Sequence, residues 1–467
     1  MTPLVTNPAT AHEPGRAAPL DVTGRLARYM AGAADAPLPE EVAQACKHRI
    51  LDTLAAIVSG ARMRPGAMAI EYVRSLGGTA QAAVLASDVC TTAANAALAN
   101  GMCAHADETD DFEPSTKAHP GSSAVPAALA VAEKNGSSGE ALMRSVALGY
   151  DLGCRLLMAL GPAHVRASHR SAEGTSSTFC ALGSAALAGL DEQRMRFAIS
   201  YAAQQVSGLW SWVKDEDHIE KAFDFAGMGA RNGVTAVTMV EAGLTGVHDV
   251  LDGTHNLFIA LSREPQPEAM LEGLGSRFFV TESSIKTFSV GYPNQSALDA
   301  MLLLRRQHGL TPAQVRAIHV RIPTDAVGIV GNSAMADVSC QHLVSLALLK
   351  GEVSFADSHD ASLMHDPAVR AVREKLTLAG DAALMDPAAP RGAIVELELL
   401  DGRRVAHHTR FAPGTKERPL TTEQVNAKAR DLMAPVLGQQ HTDELIARIN
   451  QLEQVRDVRE LRPLWTT

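Results

Sequence analysis

Apolar residues recur at helical spacing through the first half of the chain, and this recurrence most restricts the possible fold. In the segment PEEVAQACKHRILDTLAAIVSGA, Val42, Cys46, Ile50, Leu54 and Ile57 follow one another at intervals of three and four. Such spacing places them on one face of an α-helix. Similar Ala-rich segments continue to about residue 265, separated by short turns of Gly or Ser. Because small residues let helices approach closely and only 4% of residues are aromatic, we predict packed helices rather than a β-sandwich.

The pattern changes after about residue 275. QVRAIHVRIP alternates apolar and polar residues, which predicts a half-buried strand. AIVELELLDGRRVAHHTRF is typical of a β-hairpin, with Asp401-Gly402 as its turn. QHLVSLALLKG and AVREKLTLAG are predicted to be helices. From Thr421 onwards we predict helix again, opened by a capping box of Thr421 and Gln424.

These patterns predict a mainly α fold with two domains. The larger one is all-helical and spans residues 21–272, completed by residues 413–467, which return to pack on it. The smaller one is an α+β domain of residues 273–412. Residues 1–20, rich in Pro, Thr and Ala, are predicted to form a mobile tail.

Composition and the absence of known motifs exclude several classes of function. The net charge of −10 argues against a nucleic-acid partner, although a few local cations can still hold a small anion. No apolar run reaches the roughly 18 residues of a membrane span, and the start does not resemble a signal peptide. Six scattered cysteines without a CxxC pair indicate reduced thiols, and so a cytoplasmic protein. Nucleotide-binding and serine-hydrolase motifs are missing.

The stretch HADETDDFEPSTKAHP, residues 105–120, holds a dense cluster of acidic side chains. Acidic side chains that repel one another at neutral pH persist in a folded protein when they are solvated, metal-bound or catalytic. Two histidines and a lysine accompany them, which a solubilising loop does not need. The five carboxylates, within seven positions, are Asp107, Glu108, Asp110, Asp111 and Glu113.

Three interpretations of this stretch compete. A solvated acidic loop is the ordinary one. A magnesium site would resemble the Asp-rich motif of all-helical isoprenoid synthases, but no second DDxxD is present, and KDEDHIEK at 214–221 has the wrong spacing. The third interpretation is acid–base chemistry next to a carboxylate, which needs a base and nearby cations. Lys221 and Lys286 lie in glycine-containing segments, although spacing alone does not single them out.

The segment NGMCAHADETDDFEPSTKAHPGSSAVPAALAVAE resembles the signature of the MmgE/PrpD family, which includes 2-methylcitrate dehydratase, cis-aconitate decarboxylase and iminodisuccinate epimerase. GYDLGCRL, KAFDFAGMGARNGVTAVTMVEAGLTG and IKTFSVGYPNQSALDA match in order, and the resemblance covers nearly the whole chain after residue 20. It is more specific for the family than for the reaction. It implies a homodimer of two-domain subunits in which the smaller domain acts as a lid. The active site between the domains would use neither a metal nor an organic cofactor.

The resemblance assigns site residues one by one. His119, in the His-Pro step, matches the family pattern, and so do Lys221 and Lys286. Asp110 and Asp111 match the paired aspartates of the family's loop.

Other positions depart from the family pattern. Glu108 stands where relatives place an acid two residues before the aspartate pair. Phe112 stands where the decarboxylase and dehydratase usually have a threonine, and its side chain cannot form a hydrogen bond. Gly174 and Gly291 stand where active-site histidines are expected. These departures suggest a different substrate or a different route for the proton.

His169 or Glu173 could take the place of the histidine missing at position 174. The predicted catalytic residues are His119, Glu108, Asp111 and Lys221, and the predicted substrate-binding residues are Lys286, His105, Asp107, Asp110, His169 and Tyr292.

The sequence thus predicts a cofactor-free lyase that abstracts a proton next to a carboxylate of a small di- or tricarboxylate. Dehydration of a 2-methylcitrate-like hydroxy acid is the leading reaction, with decarboxylation of cis-aconitate or epimerisation of an imino-dicarboxylate as alternatives. A carboxylate-binding protein without turnover is a hypothesis of another class, and a metal-dependent synthase is a third. No nucleic-acid or membrane partner is expected.

Overall fold

The computed structural model describes residues 21–466 and contains two apolar cores. The first core draws on residues 22–285 and 425–465, and the second on residues 290–399. Along the chain, the first core includes Ile285 and the second begins at Val290. The predicted domain boundaries at 272/273 and 412/413 stay predictions. The predicted tail of residues 1–20 lies outside the described residues.

The first core is built almost entirely of helices. In its central helix, α2 (Glu40–Gly60), residues 49–60 are all buried, so α2 packs on every side rather than on one face. The short strands β1 (Ala82–Ala83) and β2 (Cys90–Thr91) pair antiparallel, so this domain is not strictly all-helical. Its helices are α1 (Val22–Ala33), α2 (Glu40–Gly60), α3 (Arg64–Leu76), α4 (Ala93–Ala104), α5 (Gly121–Asn135), α6 (Gly139–Leu160), α7 (Pro162–Ala167), α8 (Ala172–Leu182), α9 (Glu192–Gln204), α10 (Ile219–Ala222), α11 (Met228–Glu241), α12 (Leu257–Leu261) and α13 (Phe279–Glu282).

A single π-helical turn, Phe223–Gly227, joins α10 to α11. Such turns are frequent at functional sites. A Cβ on Gly101 of α4 would lie only 3.0 Å from Gly227 Cα. The close approach needs glycine at both positions, and it brings the end of α4, where residue 105 lies, against the π-helical turn.

The second core belongs to the smaller α+β domain, which we label the lid domain after the expectation above, and it surrounds a four-stranded sheet of order β4-β3-β5-β6. Strand β3 (Val315–Pro323) pairs parallel with β4 (Leu376–Asp381) and antiparallel with β5 (Ala393–Leu399), which forms the hairpin with β6 (Arg404–Thr409). Its helices are α14 (Gln295–His308), α15 (Thr324–Val330), α16 (Cys340–Lys350), α17 (Phe355–His359) and α18 (Pro367–Arg373).

The predicted helix AVREKLTLAG is wrong in its second half. Helix α18 ends at Arg373, and LTLAG belongs to strand β4. The backbone groups of β4 pair with the central strand β3, and this tertiary pairing overrides a weak local preference for helix.

Helices α19 (Thr422–Leu437), α20 (Gln439–Asn450) and α21 (Arg462–Trp465) close the chain, and α19 packs against α2. The capping box of Thr421 and Gln424 is confirmed. A mainly α fold with a smaller α+β domain is likewise confirmed. Within residues 21–466, no helix is both long and apolar enough to cross a bilayer. The six cysteines, all in that range, are free thiols.

Candidate active site

The acidic loop, residues 105–119 between α4 and α5, lies inside the protein. Its five acidic residues are at most 3% exposed. Each therefore depends on protein partners rather than on water. The solvated interpretation of this stretch is wrong.

Two of the aspartates fix the shape of the loop. Asp107 accepts hydrogen bonds from Ser59 Oγ at 2.6 Å and from a loop amide. Asp111 accepts them from Tyr150 Oη at 2.6 Å and from Gly121 N, the first residue of α5, at 2.9 Å. Burial raises the pKa of Asp111 to about 6, although Tyr150 opposes the shift. Asp111, predicted as a catalytic acid, thus anchors α5, and neither aspartate lines the cavity described next.

A cavity, hereafter the interdomain cavity, separates the acidic loop from the lid domain. A larger cavity shares Tyr292 and Arg391 with it but has no histidine in its wall. We place the chemistry in the smaller one for that reason. The interdomain cavity is lined by Glu108, Phe112, Lys117, His119, Arg166, Glu173, Trp210, Trp212, Lys221 and Phe225, and from the lid domain by Gly291, Tyr292, Pro293, Ile329, Val338 and Arg391.

Asp110 holds two histidines at the inner end of the cavity. Its Oδ2 accepts from His105 Nδ1 at 2.8 Å and from His119 Nδ1 at 3.0 Å. Burial alone would raise the pKa of Asp110, but His105, His119 and Lys286 hold it well below its usual range. Burial lowers the pKa of His105, which favours its neutral form.

His119 is the histidine in the cavity wall. Since ionised Asp110 can only accept, His119 carries its proton on Nδ1 when it is neutral. Its Nε2 makes no hydrogen bond to the residues described here, so that atom can take or give a proton at the cavity. The sequence-predicted proton-transfer residue is therefore placed for that task.

The two lysines meet at Glu108, although one is enclosed. Lys286 Nζ donates to Glu108 O at 2.8 Å, and lies 3.3 Å from Asp110 Oδ1 and 3.4 Å from Glu108 Oε2. Its side chain is 0% exposed. Burial would lower the pKa of Lys286, but Asp110 and Glu108 raise it overall. Lys286, predicted to bind substrate, thus has its three N–H groups directed at protein oxygens.

Lys221 contacts Glu108 Oε1 and remains 12% exposed at the cavity. Burial would raise the pKa of Glu108, but Lys221 and Lys286 hold it well below its usual range. Glu108 adopts a left-handed backbone with φ 56°, a conformation that costs about 1 kcal/mol for a residue with a side chain. It allows the carbonyl and the carboxylate of Glu108 to face Lys286 together.

Backbone pairing explains how Lys286 reaches the acidic loop. Phe112 N donates to Ser284 O at 3.0 Å, and Ser284 N donates to Phe112 O at 2.7 Å. This two-residue bridge brings the segment with Lys286 against Glu108.

Sequence reasoning missed His218, which belongs to KDEDHIEK. Its Nε2 lies 3.8 Å from Glu108 Oε1, and its ring centroid lies 5.3 Å from that of His105. Burial and Lys221 lower its pKa well below the usual range, so the ring is neutral. The available signal was the histidine within that charged run, which we considered only as a metal motif.

Two groups of side chains have the geometry of metal ligands, with donor atoms within 4.8 Å of one another. Each contains a carboxylate that already contacts a lysine ammonium, and an ammonium repels an incoming cation. The charge distribution supports our prediction of no metal, which stays a prediction. The groups are His105, Asp110 and His119, and His105, Glu108 and His218.

Other predicted residues separate into two sets. Tyr292 lines the cavity, stacks on Phe112 at a centroid distance of 3.9 Å and shares a hydrogen bond with Ser284 Oγ at 3.1 Å. His169 is exposed and is not part of the cavity wall. Of the two candidates to replace the histidine missing at 174, only Glu173 lines the cavity.

Gly174 has no space for a side chain. A Cβ there would lie 2.8 Å from Asp224 Oδ1 and 2.9 Å from Gly208 Cα. At Gly291 the nearest atom to an added Cβ, Asn294 Nδ2, is 3.6 Å away, and φ is −47°. The chain therefore packs tightly around Gly174 on α8 and leaves room for a side chain at Gly291. A histidine of the family pattern is missing at both positions.

We expect Gly174→Ala to destabilise the protein by about 1–3 kcal/mol, the usual cost of overpacking a core. Gly291→Ala is its matched control, and it is expected to stay within about 0.5 kcal/mol of the parent. Thermal unfolding of both variants measures the difference. Equal stability of the two would show that Gly208 and Asp224 can move aside.

Sequence reasoning also missed the aromatic and cationic wall of the cavity. Trp210 and Trp212 pack with centroids 4.9 Å apart, and Phe225 stacks on His105 at 4.4 Å. The segment WSW was a visible signal for the two tryptophans. Arg166 and Arg391, which line the same cavity, carry no local signature.

Comparisons with known proteins give one family over most of the chain. The model of the MmgE/PrpD N-terminal domain matches residues 24–270, and that of the MmgE/PrpD C-terminal domain matches residues 288–454. A cis-aconitate decarboxylase-like protein of Aspergillus oryzae is 23% identical, with 95% of this chain and 97% of the relative covered. The cis-aconitate decarboxylases of Aspergillus terreus and Homo sapiens are 22% and 24% identical, with 95% of this chain and, respectively, 95% and 94% of the relative covered.

Proposed function

We propose that this chain, which belongs to the MmgE/PrpD family, is a lyase that moves a proton next to a carboxylate of a small polycarboxylate. The observation that carries the proposal is His119, held by buried Asp110 at 3.0 Å and exposed to the cavity through Nε2. A histidine oriented by a carboxylate is the usual arrangement for general acid–base catalysis. A homodimer, independence from cofactors and a cytoplasmic location remain expectations of the family resemblance.

Decarboxylation fits the cavity at least as well as the dehydration predicted from the sequence. The bond between the carbon skeleton and one carboxylate breaks, CO₂ leaves, and the electron pair stays on carbon next to a second carboxylate. Protonated His119 then gives its Nε2 proton to that carbon. This reaction needs one proton donor. Within residues 21–466, His119 is the one histidine that lines the cavity. Two of the relatives named above are cis-aconitate decarboxylases by name, and the third is decarboxylase-like by name.

Dehydration is the second candidate, because a further carboxyl group, Glu173, lines the same cavity. Loss of water needs a base for the proton next to the carboxylate and an acid for the departing hydroxyl. His119 and Glu173 would take those two roles. Epimerisation, which returns the proton to the opposite face, would need the same pair.

Proton NMR in D₂O separates these outcomes. The EDTA-treated protein is incubated with cis-aconitate, 2-methylcitrate, citrate and iminodisuccinate, with Lys221→Ala as a comparison variant. We expect a product that has one carboxylate fewer than the substrate and carries one deuterium bound to carbon. An unsaturated product with its carboxylates intact would support dehydration. Absence of both product and deuterium exchange across the panel would favour the carboxylate-binding protein without turnover. Activity that EDTA removes and Mg²⁺, Mn²⁺ or Zn²⁺ restores would favour a metal-dependent enzyme.

A further inference from the structure

The inner end of the cavity has no unmatched positive charge for a substrate with several carboxylates. Lys221 and Lys286 stand against Glu108 and Asp110, two cations facing two carboxylates. Lys286 is enclosed by those oxygens. Binding a polyanion at this end alone would place its charges beside carboxylates that the protein has already paired, which is unfavourable.

The outer wall of the same cavity has the charge that the inner end lacks. Arg166, Arg391 and Lys117 all line it. Lys117 Nζ lies 2.6 Å from Asp325 Oδ2, and Arg391 Nη1 lies 2.8 Å from Asp325 Oδ1. Asp325 is the one carboxylate that these three cations pair with among the described residues. Even with Glu173 in the same wall, the three cations outnumber the two carboxyl groups.

Both arginines keep unused hydrogen-bonding capacity. Arg391 is only 7% exposed, and its Nε is buried without a partner in the described part of the chain. Arg166 has its guanidinium carbon 5.2 Å from the ring centroid of Trp210, and its buried Nε likewise has no partner there. Unpaired buried donors are costly unless something binds them. A planar guanidinium pair is suited to a carboxylate.

We propose that Arg166 and Arg391 form a second carboxylate subsite, which holds an acid group of the substrate remote from His119. This inference rests on the proposed function and specifies its substrate class. Asp325 competes with the substrate for this charge, since it pairs with both Lys117 and Arg391. The ligand is a compound with at least two carboxylates, one at His119 and one at the arginines.

The wall between the two ends selects the carbon skeleton. Phe112 and Tyr292 form an aromatic stack along it, and the Tyr292 hydroxyl is already hydrogen-bonded to Ser284. A hydroxyl group facing Phe112 would lose its hydrogen bonds to water without replacement. The middle of the ligand is therefore apolar or unsaturated carbon.

Tryptophan fluorescence tests the subsite without turnover, because Trp210 and Trp212 both line the cavity. The probes are tricarballylate, which has three carboxylates and no hydroxyl, and butyrate, which has one carboxylate. We expect Arg166→Gln and Arg391→Gln each to raise the dissociation constant of tricarballylate about 10- to 100-fold, as for loss of a charged hydrogen bond. Butyrate, whose one carboxylate can occupy only one end of the cavity, is expected to bind the parent more weakly than tricarballylate. Calorimetry repeats the titration, since Arg166 contacts one of the tryptophans.

Two further variants guard against misfolding as the explanation. Arg410→Gln, at an exposed ion pair with Asp386 outside this cavity, is expected to bind tricarballylate as the parent does. Asp325→Asn removes the competing carboxylate and should tighten tricarballylate binding several-fold. A merely structural role for this cluster predicts the opposite sign, because Asp325→Asn would then loosen it.

The subsite is overturned by parent-like binding in both arginine variants, by weaker binding in Asp325→Asn, or by no tricarballylate binding to the parent at millimolar concentration. A different set of results would reject the proposed lyase activity. Arginine-dependent binding without any product or deuterium exchange in D₂O would reject the lyase and keep the subsite. Turnover that the arginine substitutions leave unchanged would reject the subsite and keep the lyase.

Discussion

His119→Gln is expected to lower kcat by about 10²- to 10⁴-fold, the usual contribution of a general acid or base. Glutamine keeps a donor that can reach Asp110, but it cannot exchange a proton at neutral pH. His119 is mostly buried, and its Nδ1 partner Asp110 retains His105 and Lys286 as neighbours. The dissociation constant of tricarballylate, measured by fluorescence, should therefore change by less than about threefold, a free-energy change below about 1 kcal/mol.

His169→Gln is the matched control, since His169 was also predicted for the site but is exposed and outside the cavity. It should leave kcat and KM unchanged. If His119→Gln retained most of its activity, the proton would have to come from elsewhere. Glu173, a further carboxyl group in the cavity wall, would be tested next as Glu173→Gln.

The sequence predicts the helices and the hairpin because their signals are local. Apolar spacing defines α2, and strict alternation with Asp401-Gly402 defines the turn between β5 and β6. Strand β4 is not predicted from the local sequence, because a parallel strand is stabilised by a partner that is distant along the chain. Leu376 pairs with Ile318, almost sixty positions earlier, and no short segment records that.

The same distinction explains the site. The His-Pro step and the aspartate pair are contiguous, so His119 and Asp110 were found. The complete burial of the acidic loop has no local signal, because it depends on contacts with Lys286, which lies far along the chain. The arginine subsite is still less visible, since α7 supplies Arg166 and the lid domain supplies Arg391. Each is an ordinary surface residue by its local sequence.

Lys286→Met is expected to have the largest effect on stability, about 3–5 kcal/mol, the usual consequence of removing one partner from a buried ion pair. Lys286 is 0% exposed and stands between Glu108 and Asp110. Methionine fills a similar volume but leaves both carboxylates without this cation. Urea unfolding at neutral pH measures the loss. Lys221→Met is the matched control, because it removes a cation from the same Glu108 at a position that reaches solvent, and it should lose less than half as much.

The pH dependence identifies the cause as electrostatic. Burial would raise the pKa of Glu108 and Asp110, but their cationic partners hold both well below the usual range. The stability they contribute is therefore complete above about pH 4, where the unfolded carboxyls ionise, and is lost as the pH falls through the folded values. Without Lys286 the pKa of Glu108 and Asp110 in the folded protein rises. Lowering the pH then protonates these carboxylates, which removes the unpaired charges and reduces the loss of stability in the variant. The difference between parent and Lys286→Met should be largest near neutral pH and shrink towards pH 4. A difference independent of pH would mean that packing, not charge, explains the burial of Lys286.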